Sequence, residues 1–172
     1  MRKIIFFIAI FGVLSFYAEA QNKFPTLTAD LLSGEEVTFP DFLAGKKAMI
    51  ALVFEDGGEY ERPRNQAEGW QAFWSEELKA QGVDFYEIPM MGSLYWPMSG
   101  FIEAGMRSGI DKSLHGHIAC HYGKKAEFVK AFGATNLSEC HVYMIDEQGN
   151  IVVSQTGAVD AQKKEAFSNI CK

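Results

Sequence analysis

Seven consecutive residues from Ala48 to Phe54 are apolar (AMIALVF), the pattern of one short strand covered on both faces. A polar stretch, Glu55 to Arg62, separates this run from a segment where Ala67, Trp70, Phe73, Trp74 and Leu78 recur at helical spacing behind Pro63, a residue that a first helical turn tolerates. Gly82 stops that helix. Val83 to Ile88 then reads as a second strand ended by Pro89. Two strands joined through a helix predict a parallel, right-handed crossover.

The remaining pattern extends this unit in both directions. Asp30 to Phe39 predicts two short strands around a Ser33-Gly34 turn, and Asp41 to Lys46 a helical turn closed by glycine. Met90 to Ser99 reads as an irregular aromatic and Met-rich loop, Phe101 to Ile110 as a helix, and His115 to Tyr122 as a short strand. A helix over Lys124 to Phe132 turns Ala126, Val129 and Phe132 inward and ends at Gly133. Cys140 to Ile145 predicts another sheet strand, Asp146 to Asn150 a hairpin turn, and Ile151 to Thr156 the returning strand. Asp160 caps a last helix reaching Ile170.

Composition narrows the function classes. The first 20 residues have a basic start (Met1-Arg2-Lys3), an apolar stretch and a small-x-small site at Ala18-Glu19-Ala20, as a secretory signal peptide does; the alternative is an uncleaved anchor, for which the apolar stretch is short. Residues 21–172 then form one domain, large enough for its own core. Export to a periplasmic or extracellular compartment follows. The net charge of −6 offers nothing to nucleic acid or to an anionic membrane surface. Three cysteines, Cys120, Cys140 and Cys171, include no Cys-x-x-Cys pair and do not form a disulfide scaffold.

The order of elements resembles thioredoxin-like domains. The resemblance is carried by the strand–loop–helix opening at 46–74, by Phe24-Pro25 and Gly45-Lys46, and by Tyr143-Met144-Ile145-Asp146-Glu147-Gln148-Gly149-Asn150-Ile151 with Gly157. It implies an α/β fold with a central mixed sheet, helices on both faces and an N-terminal β-hairpin extension. The exported thiol-reductase and peroxiredoxin branches carry an extra strand and helix before the final hairpin, a role that 115–132 would fill. In such domains the loop and first turn after the buried strand carry the cysteine pair, and the helix N-terminus lowers the thiol pKa. Here that stretch has no cysteine. The cis-proline facing the pair in reductases would fall at Cys140 or His141, so both parts of the redox device are missing.

More narrowly, the chain resembles the family of the mitochondrial ATP-synthase assembly factor and its bacterial relatives, which also lack the pair. Trp70, Glu87-Ile88-Pro89, Gly105-Met106-Arg107-Ser108-Gly109-Ile110, Tyr122-Gly123 and the hairpin from Tyr143 to Gly157 carry this match. It implies a chaperone-like or assembly factor that binds another protein, redox-inactive and without a cofactor.

Several residues compete with that expectation. A thiol-disulfide oxidoreductase or peroxiredoxin-like protein would use a displaced cysteine, Cys140 or Cys120. Adjacent strand residues point to opposite faces, so His141 is poorly placed to activate Cys140, and a small core residue is the competing reading of that thiol. If the resemblance holds, the strands of Cys120 and Cys140 lie three spacings apart, roughly 14 Å. Bridged Cα atoms lie within about 7 Å, so no bond joins them. His115, His117 and His121 would share one strand face and could hold zinc or copper; the alternative is the polar face of an edge strand, with Ile118 and Cys120 inward. Glu55, Asp56, Glu59, Glu61 and Arg62 read as a solvated loop. Tyr95, Trp96 and Met98, with Phe101, form an aromatic patch suited to a protein partner or to packing on the sheet. Arg107 would anchor a partner's carboxylate, or pair with Glu103 one turn back.

Overall fold

The structure is a computed structural model, and it describes residues 23–55 and 60–170, the side chain of Lys125 excepted. The expected signal segment, positions 56–59 of the acidic loop, and Cys171 lie outside the described residues. The strands are β1 (Leu27–Leu31), β2 (Glu36–Phe39), β3 (Ala48–Phe54), β4 (Asp84–Gly92), β5 (Ala119–Gly123), β6 (His141–Ile145) and β7 (Ile151–Thr156). The helices are α1 (Glu61–Phe73), α2 (Ser99–Gly109), α3 (Lys125–Phe132) and α4 (Ala161–Ile170).

The strands form one sheet in the order β2-β1-β5-β4-β3-β6-β7. The β3–β4 and β4–β5 pairs are parallel and the others antiparallel. The expected mixed sheet with an N-terminal hairpin is therefore present. The seven residues of β3 are all buried, because helices cover both faces of the sheet at this interior strand. Ile50, Leu52 and Phe54 pack with Tyr86, Ile88 and Met90 on the face closed by Phe128 and Phe132 of α3. Met49, Ala51 and Val53 pack with Trp70, Phe73, Phe85 and Phe167 on the face closed by α1 and α4. A smaller cluster, Leu32, Ile118 and Cys120, lies beneath Met106 of α2.

Two tryptophans fix α1 and its extension. Trp70 Nε1 donates to the Gly157 carbonyl at 2.9 Å, and Trp74 Nε1 donates to the Val83 carbonyl at 2.7 Å. A π-helical turn over Trp74–Leu78 and a short 3₁₀ turn carry the chain to Gly82, whose φ of +79° ends the run as expected. Asp160 Oδ1 accepts from the Lys163 amide at 2.9 Å and caps α4.

Three expectations change. β4 continues through Pro89 to Gly92, with Pro89 opposite Val53. The proline falls between an isolated Glu87–Ile118 bridge and the β5 ladder starting at Met90–His121, where the pairing toward β5 is already interrupted. The strand expected at His115 begins only at Ala119, because Asp111 accepts from the Ser113 amide at 2.8 Å and starts a 3₁₀ turn over Lys112–His117. On α3, Phe128 takes the inward position and Ala126 is exposed.

Candidate functional site

The crevice between α1 and α2 is built on β4. The pleat sends Tyr86, Ile88 and Met90 to the α3 side and leaves Glu87 and Met91 toward α1 and α2. A groove of about 580 Å³ opens there. Its walls include Tyr60 and Arg64 from the start of α1, Met91 from β4, Tyr95 from the following turn, and Ile102, Met106 and Ile110 from α2 and its end. Glu87 lies at its base, 6 % exposed.

Glu87 is the unusual group. Among the described residues no hydrogen bond or ion pair engages its carboxylate. Arg64, whose charge acts on Glu87, forms its ion pair with Glu68 at 3.0 Å. Burial pushes the Glu87 carboxyl up to about 7, partly opposed by Arg64 and reinforced by Glu68. The same burial, with Glu87 and Cys120 nearby, raises the Tyr60 phenol. In the sequence Glu87 stands inside the second strand and in the Glu87-Ile88-Pro89 stretch of the narrower resemblance, with no role assigned to its carboxylate. Its signal was a lone acid inside Phe85-Tyr86-Glu87-Ile88, where both neighbours are buried.

The two described cysteines are apart and free. Their strands are separated by β4 and β3, the three spacings expected. Cys140 immediately precedes β6 and packs among Trp70, Val142 and Phe167; burial raises its thiol well above the ordinary range. Its amide donates to Gln66 Oε1 at 2.8 Å and its carbonyl accepts from the Gly157 amide at 2.8 Å. Glu139 holds Arg62 and Gln66, tying the start of β6 to α1. His141 faces away: its ring bonds the Asn136 carbonyl at 2.8 Å and stands edge-on to Phe54. Cys120 lies under α2 with Sγ 3.7 Å from Met106 Sδ, and burial pushes its thiol up to about 12.

The histidines do not converge. His115 bonds the Ile110 carbonyl at 3.1 Å, His117 the Phe85 carbonyl at 2.8 Å, and His121 the Thr28 carbonyl at 2.6 Å. His115 and His117 belong to the 3₁₀ turn and only His121 to β5, so the shared strand face is lost. Ile118 and Cys120 do point inward as expected. Among the described residues no group of three His, Cys, Asp or Glu side chains is placed to hold a metal.

Arg107 is engaged within the domain. Its Nε donates to the Leu32 carbonyl and its Nη2 to Glu103, both at 2.9 Å. This is the helix-turn pairing considered for it, and it ties α2 to the end of the N-terminal hairpin. The aromatic patch is out in solvent. Leu94 is 91 % exposed, Trp96 67 % and Phe101 79 %, with Tyr95 and Met98 also exposed. These residues follow the C-terminal end of β4 and flank the crevice through Tyr95.

No protein-family model matches the sequence, and no curated protein matches it. Solved structures do match. BsSco, a member of the Sco family of cytochrome c oxidase assembly proteins, aligns over 88 % of this chain and 92 % of its own at 15 % identity and a TM-score of 0.58. A thiol:disulfide interchange protein of the thioredoxin family from Chlorobium tepidum aligns over 88 % and 94 % at 16 % identity and 0.52. The exposed lipoprotein thioredoxin Etrx1 from Streptococcus pneumoniae aligns over 86 % and 98 % at 12 % identity and 0.53. The fold is thioredoxin-like. Among the described residues no helix is long and apolar enough to cross a membrane.

Proposed function

We propose that this chain is an exported thioredoxin-fold protein that works without thiol chemistry, binding another polypeptide in the manner of a chaperone or assembly factor. The observation that carries this reading is the exposed apolar outcrop from Leu94 to Phe101, beside the crevice between α1 and α2. Elsewhere the long apolar side chains are mostly buried, and a clustered exposed group of this kind suits a partner interface. The backbone at Cys140 supports the reading from the other side. Where a reductase would present backbone to its substrate, both peptide groups of Cys140 are taken up by Gln66 and Gly157. An assembly role on this fold has a precedent in the family of BsSco, and the narrower resemblance to the ATP-synthase assembly factor family points the same way.

A second reading, thiol exchange through Cys140 or Cys120, draws on the fold neighbours named as thiol:disulfide interchange proteins. It requires one of two buried thiols with raised pKa values to reach solvent and ionise. The test separates the two. Light scattering of an aggregating, chemically unfolded model client is followed with the native protein, with Trp96→Ser/Phe101→Ser, and with Cys120→Ser/Cys140→Ser. Loss of protection in the aromatic variant alone supports the proposal. Loss in the cysteine variant alone supports thiol exchange.

A further inference from the structure

The groove over Glu87 has a chemistry of its own. Its walls are apolar methylenes and thioethers (Met91, Ile102, Met106, Ile110), and two tyrosines, Tyr60 and Tyr95, line it. At its base is a carboxylate that is almost wholly buried and that no donor among the described residues engages. A buried carboxylate without a partner is costly, and a ligand that brings a cationic donor recovers that cost. Aromatic rings beside it add cation–π attraction. A second groove, lined by Arg64, Glu68, Glu76, Asp111 and Ile118, adjoins the first at Glu87. Around the two, Glu55, Glu68, Glu76 and Asp111 are acids and Arg64 is the one base among the described lining residues.

We infer that this groove is an alkylammonium site: it takes the side chain of a lysine from a bound polypeptide, with the methylenes against Met91, Met106 and Ile110 and the ammonium on the Glu87 carboxylate. The arm of a lysine matches an apolar wall ending in an acid, and an acidic rim favours its approach over that of an anionic side chain. The source of the lysine rests on the proposed partner binding. The site itself does not, since a free amine tests it without any partner.

Occupancy depends on the charge of Glu87. The charged groups acting on Glu87 are Arg64 and Glu68 of α1; Tyr60 just before α1, Cys120 of β5 and Cys140 before β6 are buried groups on which the Glu87 charge acts, and Glu55 and Asp111 line the two grooves. Since burial holds Glu87 near 7, the site is competent above neutrality and weakens as pH falls below it.

The probe is n-hexylamine, with 1-hexanol as the uncharged match, titrated into the purified protein at pH 8 and pH 5.5 by two-dimensional NMR. Hexylamine is expected to shift resonances around Glu87, Met91 and Met106 saturably at pH 8. Its affinity should fall by about tenfold or more in Glu87→Gln, the span of one charge-assisted hydrogen bond, and fall likewise at pH 5.5. Arg64→Ala, at an exposed position, removes the competing cation and should tighten binding a few-fold. Equal binding of hexanol and hexylamine, an unchanged affinity in Glu87→Gln, or weaker binding in Arg64→Ala overturns the inference. An acetyl-Leu-Lys-Leu-amide peptide tests the source. It should bind more tightly than hexylamine and lose that binding when its lysine is Nε-acetylated. Hexylamine binding without peptide binding overturns the polypeptide source. Failure of every amine to bind overturns the inference and leaves the proposed function to its own client-aggregation test.

Discussion

Replacing Glu87 by glutamine should stabilise the protein, and by an amount set by pH. The carboxyl has an ordinary value of 4.5 in the unfolded chain and is held at about 7 in the fold, with burial as the main cause. Between those values the native state binds the extra proton. Stability therefore falls as pH rises from about 4.5 to 7 and levels off above. At about 1.4 kcal/mol for each pH decade across that interval, the charged form costs the native state about 3 kcal/mol at pH 8. Glutamine keeps the shape and never ionises. Urea denaturation of both proteins at pH 4.5, 6 and 8 measures the difference. The two should be nearly equally stable at pH 4.5, and Glu87→Gln should be ahead by a quantity approaching 3 kcal/mol at pH 8. Arg64→Ala should enlarge the gap, since Arg64 lowers the Glu87 value. Parallel stability curves for the two proteins would refute the claim that Glu87 is a buried, uncompensated acid.

Other outcomes follow from the core and the turns. In native protein at pH 8, Cys120 and Cys140 should resist alkylation and react rapidly in urea, because burial raises both thiols; mass spectrometry of labelled peptides reads this, and fast native labelling of either would contradict it. Trp70→Phe removes the indole bond to Gly157 and leaves a void beside Phe73 and Phe167, so it should cost about 1–3 kcal/mol in urea denaturation. Gly149→Ala should destabilise by about 1 kcal/mol or more, because Gly149 sits at φ +79° with the Pro40 ring 2.9 Å from any added Cβ; thermal melting checks it. Trp96→Ser and Phe101→Ser, both at exposed positions, should change stability by no more than about 0.5 kcal/mol.

The sequence carried the architecture well where period and punctuation agree. The apolar run of β3, the Gly82 and Gly133 stops, the Asp160 cap and the 146–150 turn each follow from local physics, and each lies where expected. It carried less where a tertiary partner decides. Pro89 reads as the end of a strand, but β3 pairs with β4 beyond it and holds it in the sheet. His115 and His117 alternate as strand residues do, yet the local Asp111–Ser113 bond starts a turn instead. Glu87 shows the same limit at the crevice. An acid among buried residues is visible in one dimension, whereas the closeness of Tyr60, Met91 and Met106 around it exists only once β4 lies between α1 and α2. Arg107 was legible as a helix-turn partner of Glu103, but its bond to the Leu32 carbonyl needed the hairpin in place.

The most direct measurement of the central claim compares protection of an aggregating client by three proteins under identical conditions: the native chain, Trp96→Ser/Phe101→Ser, and Cys120→Ser/Cys140→Ser. If the exposed apolar surface beside the crevice is the working surface, the aromatic variant loses protection while its urea midpoint stays near native, and the cysteine variant protects as the native chain does. Protection retained by the aromatic variant and lost by a folded cysteine variant would contradict the account and return the function to the thiols.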